Sequence, residues 1–217
     1  MKPDPLWPKE LQAGLEAMGL DLAPDRQARL IDYLALLAKW NRAYNLTAVR
    51  DPRQAVARQL LDALSILPLI QGPRLIDLGT GPGLPGLPLA VARPDIEVVL
   101  LDSNAKKTRF LEQARLTLGL ENIEVARARA EAYRPERPFD TITSRAFAAL
   151  PEMVAVSRHL LAPGGRWVAM KGRRPDDELS ALSADFHTRV VPLAVPGEPA
   201  ARHAVVIEAG SNPSGVH

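Results

Sequence analysis

The stretch that most constrains this chain is Arg74–Ala90, RLIDLGTGPGLPGLPLA, which sets four glycines and three prolines between apolar flanks. Its first residues read as a buried strand, and a helix is expected to start near Leu84. Glycines let the backbone take positive φ and let a ligand approach it closely, while a helix N-terminus offers free N–H groups. Pro82, Pro85 and Pro88 remove freedom from the same loop, holding it in one shape before any ligand arrives. A strand, a glycine turn and a helix together open a βαβ unit, which commits the chain to an α/β fold with a mostly parallel sheet.

The flanking sequence agrees. From about Gly72, RLIDLG, EVVLLD, IEVAR, FDTITS, GRWVAMKG, HTRVVPLAV and HAVVIEAG read as strands. Helices are expected near 84–92, 104–119, 148–161 and 176–184. Only PGEPAAR joins the last two strands, too short a connection for a helical crossover, so they are expected to pair antiparallel. Residues 1–70 read as a helical extension: Leu30, Tyr33, Leu34, Leu37, Trp40 and Tyr44 share one face at a 3.6-residue period. Pro24 suits a first helical turn. Pro52, after Asp51, suits the start of another helix running to about Pro68. The expected organisation is an extension over 1–70, a core over 71–210 and a frayed tail over 211–217.

Composition removes several function classes. The chain has no cysteine, which excludes disulfides, thiolate metal sites and a cysteine nucleophile; no metal site is expected. The net charge is only +2, so any basic surface must be local. The segment MKPDPLWPKE lacks the apolar region of a signal peptide, and no apolar run is long enough to span a bilayer. A cytoplasmic location without a membrane partner is therefore expected, and Asn45 of NLT reads as an ordinary residue.

The loop supports two frames. GPGLPG spells the dinucleotide fingerprint through Gly81, Gly83 and Gly86. The earlier frame, Asp77-x-Gly79-x-Gly81-x-Gly83, suits a nucleoside bearing a methionine, because Asp77 can attract its ammonium; beside a pyrophosphate the same carboxylate would meet like charge. Asp102, ending the next strand, can accept from two ribose hydroxyls in either frame. A helix, a Pro-Gly-Gly turn and a strand in LAPGGRWVAMKG follow the fourth strand, as in enzymes that use S-adenosylmethionine. The fourth strand runs into TSRAFA instead of the NPPY-like tetrapeptide of amino-directed nucleic-acid methylases.

WNRAYNLTAVRDP, DLGTGPGLPGLPLA, LLDSNAKKTRFL, SRAFA, MKG and RHAVVI are carried together over nearly the whole chain. In these motifs the sequence resembles the RsmG (GidB) family of ribosomal RNA small-subunit guanine-N7 methyltransferases. The resemblance implies a Rossmann-like class I methyltransferase with a seven-stranded sheet, using S-adenosylmethionine as cofactor and small-subunit (16S) ribosomal RNA, or the subunit itself, as partner. It implies cofactor contacts from Gly79 and Leu84, with Gly81 in the same loop. Ala130 and Glu131 would border the adenine, and Arg145 would stand near the cofactor and the incoming base. One departure is visible: relatives often carry a histidine in a segment like VRHILDS, where this chain reads ARQLLDA, with Gln59 and Ala63. Gln59 keeps a hydrogen bond but has no titratable proton.

Guanine N7 has an exposed lone pair and no proton, so its methylation needs no general base, and alignment carries most of the catalysis. Donors are expected on O6 or nearby phosphates, since a donor on N7 would block attack. Arg145, Lys171 and Arg129 are the candidates, with Asn45 adding an amide contact if the N-terminal helices fold over the site; Arg202 is a weaker one. Bland alternatives are an Arg145–Glu131 ion pair and a solvated Lys171. Lys106, Lys107, Arg109, Arg173, Arg174, Arg50, Arg53 and Arg58 are positioned to contact RNA phosphates. Aromatics are only 5% of the chain, so recognition of a preformed RNA shape is expected over extensive base stacking. A monomer is expected. A nicotinamide oxidoreductase and a non-catalytic RNA-binding module remain the alternatives.

Overall fold

A computed structural model describes residues 4–210; the expected frayed tail, 211–217, lies outside the described residues. The chain opens with α1 (Trp7–Ala17) and α2 (Pro24–Tyr44), the latter starting on Pro24 as expected. The α2 face is buried at Leu30, Tyr33, Leu34 and Leu37. Trp40 is only half-buried, packed edge-on against Phe110, and Tyr44 stays exposed against Trp40. The helix ends at Asn45, which takes a left-handed conformation (φ 51°) and returns its N–H to the Asn41 carbonyl.

The single helix expected after Asp51 is instead broken into different windings. Asp51 caps a 3₁₀ turn at Pro52–Gln54 through its side chain. A π-helical stretch follows at Val56–Leu61, then α3 (Asp62–Leu64) and a second 3₁₀ turn at Leu67–Leu69. A π-helix is rare, and its changed register frequently marks a functional site.

The core contains β1 (Arg74–Leu78), α4 (Gly86–Ala92), β2 (Glu97–Leu101), α5 (Ala105–Leu118), β3 (Ile123–Ala126), β4 (Phe139–Arg145), α6 (Leu150–Ser157), β5 (Leu161–Lys171), α7 (Asp176–Ser180), β6 (Phe186–Leu193) and β7 (Arg202–Ala209). The seven strands lie in the order β3-β2-β1-β4-β5-β7-β6. The first five are parallel, and β7 runs antiparallel to both β5 and β6. The helix expected to reach 161 ends earlier, because β5 already pairs Leu161 with Phe139 and then shifts register before pairing Arg166 with Thr141. Gly164 sits in that irregularity with φ 74°.

Alternation along β1 feeds both faces of the sheet: Leu75 joins one core cluster, Ile76 and Leu78 the other. The first cluster is continuous from Trp7, Leu11 and Leu34 through Leu87, Phe110 and Leu111. The N-terminal helices thus share one apolar core with α4 and α5. Their side chains reach the loops at the C-terminal ends of the strands, and the order reverses between β1 and β4, the switch point where open α/β sheets bind ligands.

Candidate active site

The glycine loop leaves β1 beneath a dense hydrogen-bond net. Asp77 Oδ2 accepts from Thr80 Oγ1 at 2.6 Å and from the Gly86 N–H at 2.8 Å. Asp102 Oδ2 accepts the Gly81 N–H at 3.0 Å, and the Tyr33 hydroxyl, from α2, donates to the Pro82 carbonyl at 2.9 Å. Gly79 and Gly81 take positive φ, 60° and 62°. Gly86 is required for another reason: a Cβ there would collide with Leu100 and lie 2.8 Å from the Asp77 Cβ. The third glycine of the literal fingerprint therefore serves helix-on-strand packing.

Asp77 is fully buried and lines neither of the cavities beside the loop, and its Oδ1 has no hydrogen-bond partner. Burial pushes its carboxyl up to about 7, with the Thr80 and Gly86 hydrogen bonds and the Arg145 charge acting in the opposite direction. Asp77 thus does not open onto the crevice: it holds the loop from below, because the tight turn folds over it.

Two cavities meet at Gly79, Lys107 and Ala146. The smaller, about 270 Å³, is lined by Asp102, Ala130, Glu131 and Arg129. The larger, about 800 Å³, is lined by Gly81, Leu84, Arg145 and Lys171, together with Leu46–Val49, Arg58, Asp62, Met170, Arg202 and His203. The expected cofactor residues other than Asp77 thus fall along one continuous crevice over the ends of β1, β2 and β4. Arg129 belongs to the smaller cavity, beside Ala130, and not to the compartment holding Arg145 and Lys171.

Asn45 lies elsewhere. It lines a third cavity of about 430 Å³ between α1, α2 and the 47–52 segment, and its Oδ1 accepts from Arg50 at 3.1 Å. Its left-handed cap turns the chain so that Leu46–Val49, not Asn45, forms the wall of the larger cavity. Gln59 also lines this third cavity and donates to Thr47 Oγ1 at 3.3 Å. Lys171 is not a free cation: its ammonium lies 2.7 Å from Glu178 Oε2 and donates to the Ala148 carbonyl at 3.1 Å. Arg145 does pair with a carboxylate, but with Asp62 of the N-terminal extension and not with Glu131. Arg58, Lys107 and Arg174 also have acidic partners, in Glu198, Asp102 and Asp176.

Sequence reasoning missed Asp62, Glu198 and Tyr33. A trace of Asp62 was present, since an acid inside the apolar run QLLDALSIL is buried when that run packs. Glu198 sits in a proline- and glycine-rich loop and carries no such signal.

Comparison with known proteins matches this architecture. The family model for rRNA small subunit methyltransferase G (GidB) covers residues 26–205. The ribosomal RNA small subunit methyltransferase G of Pseudomonas syringae pv. syringae is 51% identical over 94% of this chain and 95% of its own length. That of Marinobacter nauticus is 52% identical over the same shares. Among solved structures, the Streptomyces achromogenes O-methyltransferase TomG, in complex with SAM, superposes with a TM-score of 0.56 at 16% identity, covering 92% of this chain and 96% of that one. At that identity it speaks for the fold alone, and the sequence matches carry the assignment: the chain belongs to the rRNA small subunit methyltransferase G family.

Proposed function

We propose that this protein transfers a methyl group from S-adenosylmethionine to N7 of a guanine in small-subunit (16S) ribosomal RNA. Family membership carries the methyl transfer and the ribosomal substrate. The observation that favours N7 is the larger cavity's lining: its one carboxylate, Asp62, has both oxygens engaged by arginines and offers no free oxygen to a general-base step. An acceptor that carries no proton suits such a wall.

The crevice fits the cofactor on two counts. A side chain at Gly81 would meet no protein atom nearer than the Gly79 carbonyl at 3.9 Å, so that face of the loop borders open cavity. The second is polar: Asp77 Oδ1 lies buried beneath the same loop without a hydrogen-bond partner. On this reading Gly79, Gly81 and Leu84 hold the methionine end, Asp102 the ribose, and Ala130, Glu131 and Arg129 the adenine side, while Asp77 attracts the ammonium through the loop. The bound cofactor supplies an electrophilic methyl on a sulfonium. The protein's own part is to orient the guanine edge with Arg145 and Arg202 and to exclude water beneath Leu46–Val49. Lys171 holds the start of α6 through Glu178, which also accepts the Leu150 N–H at 2.7 Å. The protein works as a monomer in the cytoplasm alongside its ribosomal substrate. Among the described residues no helix is long and apolar enough to cross a membrane.

The test is to incubate the protein with labelled S-adenosylmethionine and small subunits from a strain lacking the enzyme, then map the product. Label on a guanine that becomes alkali-labile as 7-methylguanosine is expected. Label on an exocyclic amine or a ribose overturns the N7 assignment.

A further inference from the structure

Three distant parts of the chain meet in one charged array on the wall of the larger cavity. Asp62, at the end of the π-helical stretch, is 4% exposed and uses both carboxylate oxygens: Oδ2 accepts from Arg145 Nη1 at 3.1 Å and Oδ1 from Arg202 Nε at 3.0 Å. Behind them Glu198, with no exposed side-chain surface, accepts at one oxygen from Arg58 Nε at 2.9 Å and from Arg202 Nη2 at 3.1 Å. Arg145 Nη1 also donates to the Arg58 carbonyl at 3.0 Å, in the π-helix itself. The acids are buried, whereas the three guanidinium side chains remain 24–41% exposed.

This layering has a chemical sense. Buried ion pairs are poor sources of net stability, because desolvation offsets their attraction. Carboxylates sealed behind partly exposed guanidiniums do something else: they fix the planar forks in advance, so that ordering them is not left to the moment of binding. The larger cavity is lined by five cationic side chains, Arg58, Lys107, Arg145, Lys171 and Arg202, and one carboxylate, Asp62. That carboxylate is contributed by the N-terminal extension. Arg145 ends β4 and Arg202 starts β7, so Asp62 bridges the ends of two strands that β5 separates.

Resting on the methyltransferase reading above, we infer that Asp62 is a positioning residue. With Glu198 as a second anchor, it holds Arg145 and Arg202 as a rigid guanidinium pair that seats the RNA strand for in-line attack. The π-helical winding brings Asp62 to that position. The extension thereby completes the site as well as covering its floor.

The experiment compares wild type with Asp62→Asn, Asp62→Glu and Glu198→Gln, using full-length protein and unmodified small subunits. It measures kcat, the KM for subunits and the Kd for S-adenosylhomocysteine. Asp62→Asn is expected to lower kcat at least ten-fold while the S-adenosylhomocysteine Kd stays within two-fold. Asp62→Glu, which keeps the charge and moves it by one methylene, is expected to be nearly as defective; Glu198→Gln is expected to lose about three-fold in kcat, and it carries the test alone if the Asp62 variants do not fold. An unchanged kcat with a lower subunit KM would mean that the acids only mask positive charge, and overturns the inference. Loss of S-adenosylhomocysteine binding in step with kcat would mean that Asp62 merely supports the fold, and overturns it equally. NMR of the arginine Nε–Hε groups separates this idea from the functional reading: a dispersed Arg202 signal in wild type that collapses in Asp62→Asn supports the array even if wild type fails to methylate subunits. An Arg202 signal unchanged by Asp62→Asn counts against it.

Discussion

Asp77 offers a sharp test of how the loop is held. Its carboxyl is sealed under the glycine loop, with Oδ2 satisfied by Thr80 and Gly86 and Oδ1 unpartnered. Burial, the largest influence, raises it to about 7, against an ordinary carboxylate near 4 in the unfolded chain. A folded-state value raised in this way means that the native protein holds the proton more tightly than the unfolded chain. Stability from this group is fully present below pH 4 and is lost as pH rises through 7. The gap corresponds to roughly 4 kcal/mol, of which roughly 2–3 kcal/mol falls between pH 5 and pH 8. Asp77→Asn keeps an oxygen for Thr80 and Gly86 but does not titrate. Urea unfolding of both proteins without cofactor, repeated across pH 5–8, isolates the Asp77 contribution because other titrating groups cancel in the difference. The variant is expected to gain on wild type by about 2–3 kcal/mol over that range. In the same samples its affinity for S-adenosylhomocysteine is expected to fall several-fold at pH 8, as the loop loses the charge beneath it. Parallel stability curves would refute the reasoning, since they would show that the carboxyl titrates alike in the folded and unfolded chains.

Three further outcomes follow from the loop's other supports. Tyr33→Phe removes the hydroxyl from the Pro82 carbonyl in a fully buried position and is expected to cost about 1–2 kcal/mol by urea unfolding, with weaker S-adenosylhomocysteine binding by calorimetry. Gly86→Ala places a methyl against Leu100 and 2.8 Å from the Asp77 Cβ, and overpacking there is expected to cost about 1–3 kcal/mol of stability despite alanine's better helix propensity. Asp102→Ala is expected to weaken S-adenosylhomocysteine binding by about 1–3 kcal/mol, the scale of hydrogen bonds to a charged group. An unchanged dissociation constant would place the ribose away from the smaller cavity.

What the chain revealed before folding, and what it hid, divide along a physical line. The strand–loop–helix at Arg74–Ala90, the parallel core and the antiparallel β6–β7 pair are written in short-range patterns: alternating apolar runs, glycines that need positive φ, and a connection too short to cross over. They were legible because each is decided within about ten residues. The charged array was not, because Asp62 and Arg202 meet across 140 residues and neither spacing nor composition encodes that approach. Asn45 shows the same limit at closer range: its sequence neighbours do form the cavity wall, but a left-handed cap at the end of α2 sends its own side chain to the other side. Asp77 shows the limit in a third way: the strand-end carboxylate is legible, but nothing in the spacing says that the loop folds back over it and donates its hydrogen bonds to it. In each case direction is set by local packing that a pattern does not spell out: the cap for Asn45, the glycine loop for Asp77, and the approach of the segment before β1 for Asp62. Tyr33 reaches the glycine loop from α2 and Asp62 reaches the arginines from the winding segment after it, so the chain before β1 fixes the geometry of the loop that carries the glycine motif.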